Sequence, residues 1–313
     1  MLHRKGTLLT LLCGALVLLY TVYLLLDTFL LGTVLEPEAG SWDSSLFVQA
    51  ESAALTEASE PAETAEAATA DPENIVYQDE NITITLTEYR VWDTQVYAAE
   101  VWLSSAQYLR TALAQGSYGK NLTEKTSVLA EESNAILAVN GDYYGARESG
   151  YVIRNGTLYR DSGSEDTDVL CIYADGSFAI TDSGESSAQE LVEAGVWQAF
   201  SFGPALVEAG AVTVSDSEEV GRAKASNPRT AIGMVEPLHY LFVVSDGRTD
   251  ESEGLSLRQL AEFMAELGVE TAYNLDGGGS STMVINGQVI NQPTTGGNRI
   301  KERSVSDIVY IGP

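Results

Sequence analysis

The sequence predicts a strand-rich single domain of mixed α/β (α+β) class with few helices, preceded by a transmembrane helix and a disordered stalk. Three observations predict it. From Ile75 onward, short apolar alternations are separated by Gly, Asn and Asp. Before them lies an uncharged run rich in Leu and Val, from Thr7 to Leu26. Between the two, a segment of Ala, Glu, Ser, Thr and Pro belongs to a stretch with no Lys or Arg from Lys5 to Arg90. The 313 residues divide accordingly into 1–35 (tail and anchor), 36–74 (acidic linker) and 75–313 (folded domain).

A run of about 20 apolar residues is enough to cross a bilayer as a helix. This one is longer than a signal-peptide core of roughly 7–15 residues, and no A-x-A cleavage site follows it. Arg4 and Lys5 precede it and acidic residues follow it, which orients the N-terminus to the cytoplasm. The expectation is a single-pass cell-membrane protein whose folded domain is extracellular and whose partners include the lipid bilayer. The acidic linker repels itself and has little apolar surface to bury, so it reads as an extended, disordered stalk.

The net charge is -28. Without a basic patch this excludes nucleic acid as a partner, and an anionic substrate would need local arginines. The two cysteines are Cys13, inside the apolar run, and Cys171, so the folded part forms no internal disulfide. Cys171, in Val-Leu-Cys-Ile-Tyr, reads as a buried strand residue.

Within the domain, Ile82-Thr-Ile-Thr-Leu86, Val96-Tyr-Ala-Ala-Glu-Val-Trp-Leu103 and Val169-Leu-Cys-Ile-Tyr173 read as strands, and Asn155-Gly156, Asp175-Gly176 and Asn286-Gly287 as hairpin turns. A helix is predicted from the capping box Ser256-Leu-Arg-Gln259, with Leu257, Leu260, Met264 and Leu267 at helical spacing before Gly268. A weaker one is predicted around 123–132. Each is followed by a short apolar strand ending in Asn-x-Asp: Asn140-Gly141-Asp142 and Asn274-Leu275-Asp276. Ligands gather at the carboxyl ends of strands in open α/β sheets, so the two corners are expected to meet at one crevice.

Imidazole chemistry rests on His239 alone, since His3 lies in the tail, and His239 sits in an apolar run. A Ser-His-Asp triad, a His/Cys zinc site and a nucleotide-binding glycine loop all lack their residues. Carboxylates, amides, hydroxyls and arginines remain. They concentrate in Asn140-Gly-Asp-Tyr-Tyr-Gly145, Asn227-Pro-Arg-Thr-Ala-Ile-Gly233, Ser245-Asp-Gly-Arg248 and Asp276-Gly-Gly-Gly-Ser-Ser281. The triplet Gly277, Gly278 and Gly279 strips side chains from a whole ledge whose N–H groups suit an anion. Arg229 stands at a strand mouth from which a planar guanidinium could grip phosphate or carboxylate, and Arg303 is similar.

These four motifs, in this order, resemble the phosphodiester glycosidase family over residues 75–313, the Asn-Leu-Asp-Gly-Gly-Gly-Ser-Ser-Thr run being the most specific. The resemblance implies a hydrolase that cleaves between a sugar's anomeric carbon and a phosphodiester. The sugars would be of N-acetylglucosamine type or part of cell-envelope and exopolysaccharide glycans. It implies Asp276 or Asp142 as base or nucleophile, with Arg229 and Arg303 clamping phosphate. Asn140 and Ser280 would orient sugar hydroxyls, and Thr230, Asp246, Arg248, Ser281 and the three glycines would complete the substrate contacts. No cofactor is expected, although aspartates near Gly-rich turns could hold a structural Ca²⁺. The alternatives are a non-catalytic surface polysaccharide-binding or assembly protein and a phosphodiesterase that cuts the P–O bond.

Overall fold

The alternation that begins at Ile75 is realised as antiparallel strands. A computed structural model describes residues 2–29, 31–38, 42, 44–47, 74–163, 167–214, 226–297 and 299–313. Among these, an eight-stranded sheet runs in the order Ala211–Val212, Ala205–Glu208, Thr271–Asn274, Arg229–Glu236, His239–Ser245, Thr94–Leu103, Ile82–Val91 and Ile75–Gln78. A five-stranded sheet has the order Gln288–Val289, Met283–Ile285, Leu137–Asn140, Asp307–Ile311 and Leu109–Leu113. A second five-stranded sheet orders Phe178–Asp182, Asp168–Tyr173, Val196–Phe200, Gly150–Arg154 and Thr157–Ser162.

Apolar side chains on the inner faces of all three sheets meet in one core. It joins Ile84, Val101, Phe242 and Leu275 to Leu137, Val139 and Val309 and to Leu170, Ile172 and Phe200. Each outer face is closed by a short helix. α1 is the N-terminal helix Leu2–Phe29, and α2 (Thr126–Glu132) lays Leu129 and Ala130 on Ala138 and Ile308. α3 (Ala188–Glu193) packs Leu191 near Cys171, and α4 (Leu257–Glu266) packs Leu260 and Met264 near Ala231 and Val243. The predicted capping box is present at α4: Gln259 N–H donates to Ser256 Oγ (3.1 Å) and Ser256 N–H to Gln259 Oε1 (2.9 Å). α3 uses the same device at Ser187 and Glu190, a signal that reading for apolar period alone passes over.

Three expectations change. Every named strand pairing is antiparallel among the described residues, so the two Asn-x-Asp corners are not crossover ends of an open parallel sheet. They meet because two sheets abut. Second, among the described residues no helix is long and apolar enough to cross a membrane. The predicted transmembrane anchor is corrected to a helix, Leu2–Phe29.

Third, the chain after α1 docks where a free stalk was expected to begin. Thr33–Val34 pairs with Gly119–Lys120, and Glu38 N–H donates to Leu158 O (2.9 Å). Trp42 and Phe47 close on Trp197, with ring centroids 5.1 Å and 4.9 Å away. Gly156 makes room: a Cβ there would stand 2.4 Å from the Trp42 ring. The rest of the predicted linker, 39–41, 43 and 48–73, lies outside the described residues.

Candidate active site

The strands Leu137–Asn140 and Thr271–Asn274 belong to different sheets, and their exits are tied together. Asp276 N–H donates to Gly141 O (3.2 Å), while Asn140 Nδ2 donates to Asp276 O (2.6 Å) and Gly141 O (3.2 Å). On its other side Asn140 Oδ1 accepts from Thr230 Oγ1 (2.8 Å) and Thr282 N–H (3.3 Å). Asn140 and Thr230 are both fully buried. They rivet the joint, which corrects the expectation that they contact substrate.

Asp276 lies at the centre of this joint, its side chain 11% exposed. Its Oδ2 accepts from Ser280 Oγ (2.6 Å) and from Arg303 Nη2 (2.7 Å). Arg303 spans the pair, with Nε donating to Ser280 Oγ (2.8 Å) and Nη2 also reaching Gly277 O (3.1 Å). Ser280 is therefore a support for Asp276 and Arg303. Among the described residues nothing donates to Asp276 Oδ1, so that oxygen keeps both lone pairs for chemistry.

The glycine triplet earns its place through close approaches by the protein itself. A Cβ on Gly277 would stand 3.0 Å from Pro228 O, on Gly278 2.9 Å from Arg248 Nη2, and on Gly279 2.5 Å from Thr295 Oγ1. Gly278 also has φ +64. Its N–H is spent on Pro228 O (2.8 Å), so the expected row of ledge donors for an anion is not complete. What the missing side chains admit is arginine.

Three guanidinium-bearing residues border the ledge. Arg303 lies on Asp276. Arg248, exposed, places Nε (3.1 Å) and Nη2 (2.9 Å) on the uncharged amide oxygen of Asn227. Partial burial, and then the nearby charge of Arg303, hold Arg248 below the ordinary arginine range. Arg229 is mostly buried, donates Nε to Leu255 O (2.9 Å), and has its Cδ 3.9 Å from where a Gly277 Cβ would be. Repulsion between Arg248 and Arg303 is relieved by an anion between them. Among the described residues no group of three or more His, Cys, Asp or Glu is placed to hold a metal ion.

The other expected residues turn out to be structural. Asp142 is buried: its Oδ1 meets Arg154 Nη2 (2.8 Å) and Tyr144 N–H (3.2 Å), and its Oδ2 accepts Ser201 N–H (3.2 Å). Arg154 Nε also bonds Asp307 Oδ2 (2.8 Å), so both oxygens of Asp142 are engaged inside a buried triad. This corrects its candidacy as base or nucleophile. Asp246 is buried as well, accepting from Gln292 N–H (2.7 Å) and Asn291 Nδ2 (3.2 Å), which fastens a loop. Burial holds it above the ordinary carboxylate range, and burial foremost, with the Asp246 charge beside it, pushes Tyr97 up to about 12. Ser281 is fully buried with its carbonyl accepting from Asn291 Nδ2 (3.0 Å).

Sequence reasoning missed three contributors. Arg154 and Asp307 complete the triad; the signal was an arginine inside the apolar strand Gly150–Arg154. Ser201 to Pro204 flanks the joint, Asn274 Nδ2 donating to Gly203 O (2.7 Å). Its Gly-Pro pair marks a turn directly after the strand Val196–Phe200. Tyr143 is the third: it stands 41% exposed with φ +66, and Arg303 Cζ lies 5.9 Å from its ring centroid.

The family model for phosphodiester glycosidase matches residues 133–312, which hold both corners, the glycine ledge and all three arginines. The prophage-derived protein YomE of Bacillus subtilis is 27% identical over 62% of this chain and 30% of its own. N-acetylglucosamine-1-phosphodiester alpha-N-acetylglucosaminidase of Mus musculus is 28% identical over 50% of this chain and 33% of its own. The chain thus spans about a third of the length of these relatives. In three dimensions it is similar to the catalytic domain of the zebrafish enzyme of that name, auto-inhibited by its pro-peptide: TM-score 0.61, 22% identity, 74% of this chain and 83% of that one. With the family model covering more than half of its length, the chain belongs to the phosphodiester glycosidase family, a family of hydrolases.

Proposed function

We propose that this chain hydrolyses glycosyl phosphodiesters at the bond between the anomeric carbon and the phosphate oxygen, with N-acetylglucosamine-type sugars as the first class to test. The observation that carries this reading is Asp276: a carboxylate held by Arg303 and Ser280 through Oδ2, beside a glycine ledge bordered by Arg229, Arg248 and Arg303.

The chemistry balances on these residues. The anomeric C–O bond breaks and its electron pair leaves on the phosphate oxygen. Water supplies the new C–O bond, its proton ending on the released phosphomonoester. Phosphate is already a good leaving group, so positive charge around it contributes more than a general acid would. In this reading Arg248 and Arg303 take that charge. Asp276 Oδ1 supplies the basic or nucleophilic oxygen on the face of the sugar opposite the leaving group. Retention of anomeric configuration would mean direct attack; inversion would mean attack through water.

Substitution tests the assignment. Asp276→Asn keeps the hydrogen-bonding shape and removes the charge, and should lower kcat by about a thousandfold, within the range for loss of an acid–base group. Arg229→Ala should lower kcat/KM by at least about tenfold. Near-normal turnover by both variants on an N-acetylglucosamine-1-phosphodiester would refute the assignment.

A further inference from the structure

Tyr143 stands out among the aromatic residues near Asp276. It follows Asp142 directly, and its backbone is left-handed, at φ +66, where a bulky residue is strained. The turn itself is explained: Asp142 Oδ1 accepts the Tyr144 N–H (3.2 Å) and the chain enters the short helical turn Tyr144–Ala146. The identity of the residue is not. Asn or Gly would take that conformation at lower cost, and the ring is 41% exposed where its neighbour Tyr144 is 2% exposed. Such a conformation costs about 1–3 kcal/mol and clusters at active sites and ligand clamps, though Tyr143 shares it with ten other non-glycine residues among those described, so exposure and position carry more of the argument.

The place of the ring says which ligand. Arg303 lies against it, Cζ 5.9 Å from the ring centroid, and Arg303 Nη2 is 2.7 Å from Asp276 Oδ2. The exposed ring is thus linked to the Asp276 carboxylate through Arg303, at the rim of the polar joint and open to a ligand that approaches it. Phosphate is claimed by the arginines. What remains is the sugar, whose axial C–H groups form an apolar face that an aromatic ring covers, while a tyrosine hydroxyl stays in water.

We infer that Tyr143 is the platform on which the sugar ring of the substrate stacks, and so sets specificity for a pyranoside at the glycosyl position. The inference rests on the proposed glycosyl phosphodiester chemistry.

Binding and turnover separate the two. On the full chain, affinity for free N-acetylglucosamine is measured by saturation-transfer NMR and affinity for inorganic phosphate by ³¹P line broadening. The wild type is compared with Tyr143→Ala and Tyr143→Phe. The inference predicts that Tyr143→Ala weakens the sugar about tenfold, the size of one lost aromatic contact, that Tyr143→Phe recovers it, and that phosphate changes less than about twofold. Sugar affinity unchanged in Tyr143→Ala, or no sugar binding by the wild type, overturns it. So does a loss of phosphate affinity equal to the loss for sugar, which would mean that Tyr143 acts only by holding Arg303. Turnover of a glycosyl phosphodiester with unaltered sugar affinity in Tyr143→Ala fails this inference alone; an altered sugar affinity without any turnover fails the hydrolytic reading alone.

Discussion

Asp142 and Asp307 share one guanidinium, and the arithmetic of that triad leaves a buried negative charge. Arg154 is itself buried, with Nη1 donating to Ala199 O and its Cζ 4.2 Å from the Phe200 ring centroid. Burial pushes the Asp307 carboxyl up to about 6, and Arg154 only partly offsets this. A carboxylate whose folded-state pKa is raised binds a proton more tightly when folded than unfolded. Its contribution to stability is therefore full below the ordinary value of 3.8 and is lost as pH rises through about 6. Stability measured by denaturant titration should carry a decline over that window that is absent in Asp307→Asn. An Asp307→Asn variant with the wild-type pH profile would contradict it. The triad also explains why Asp276, not Asp142, is the chemical candidate: one carboxylate is locked by three partners while the other keeps an oxygen open. Both stand in Asn-x-Asp corners, so sequence could nominate the pair and could not choose between them.

Among the elements, those carried by local signals were legible and those created by long-range contact were not. The Ser256 capping box, the period of Leu257, Leu260 and Met264, and the Asn155-Gly156 and Asn286-Gly287 turns all appear as read. Ser256→Ala removes one side of a reciprocal cap and should cost about 1 kcal/mol in a denaturant midpoint, with the site chemistry unchanged; a neutral effect would mean that packing alone holds α4. The roles of Asn140 and Thr230 were misread because a polar residue at a strand end looks the same whether it faces substrate or another sheet. Only burial distinguishes these cases. The docking of Trp42 and Phe47 on Trp197 was likewise unreadable, since two aromatics in an acidic, Ser-rich stretch leave no period from which a partner about 150 residues away could be inferred.

For the molecule as a whole, three sheets around a single core bring two turns from different sheets to one joint, and the joint fixes Asp276 beneath arginines in a chain whose net charge is -28. On the proposed function such a cationic enclave on an acidic protein serves one anion, and the glycine ledge is what lets Arg248 and the Thr294–Thr295 strand approach it. If the enclave serves the departing phosphate, bond cleavage occurs at carbon. Incubating the full chain with an N-acetylglucosamine-1-phosphodiester in ¹⁸O-labelled water, and weighing the products by mass spectrometry, tests that claim most directly. Label in the released sugar is the predicted result; label in the phosphate would place cleavage at phosphorus and contradict the account.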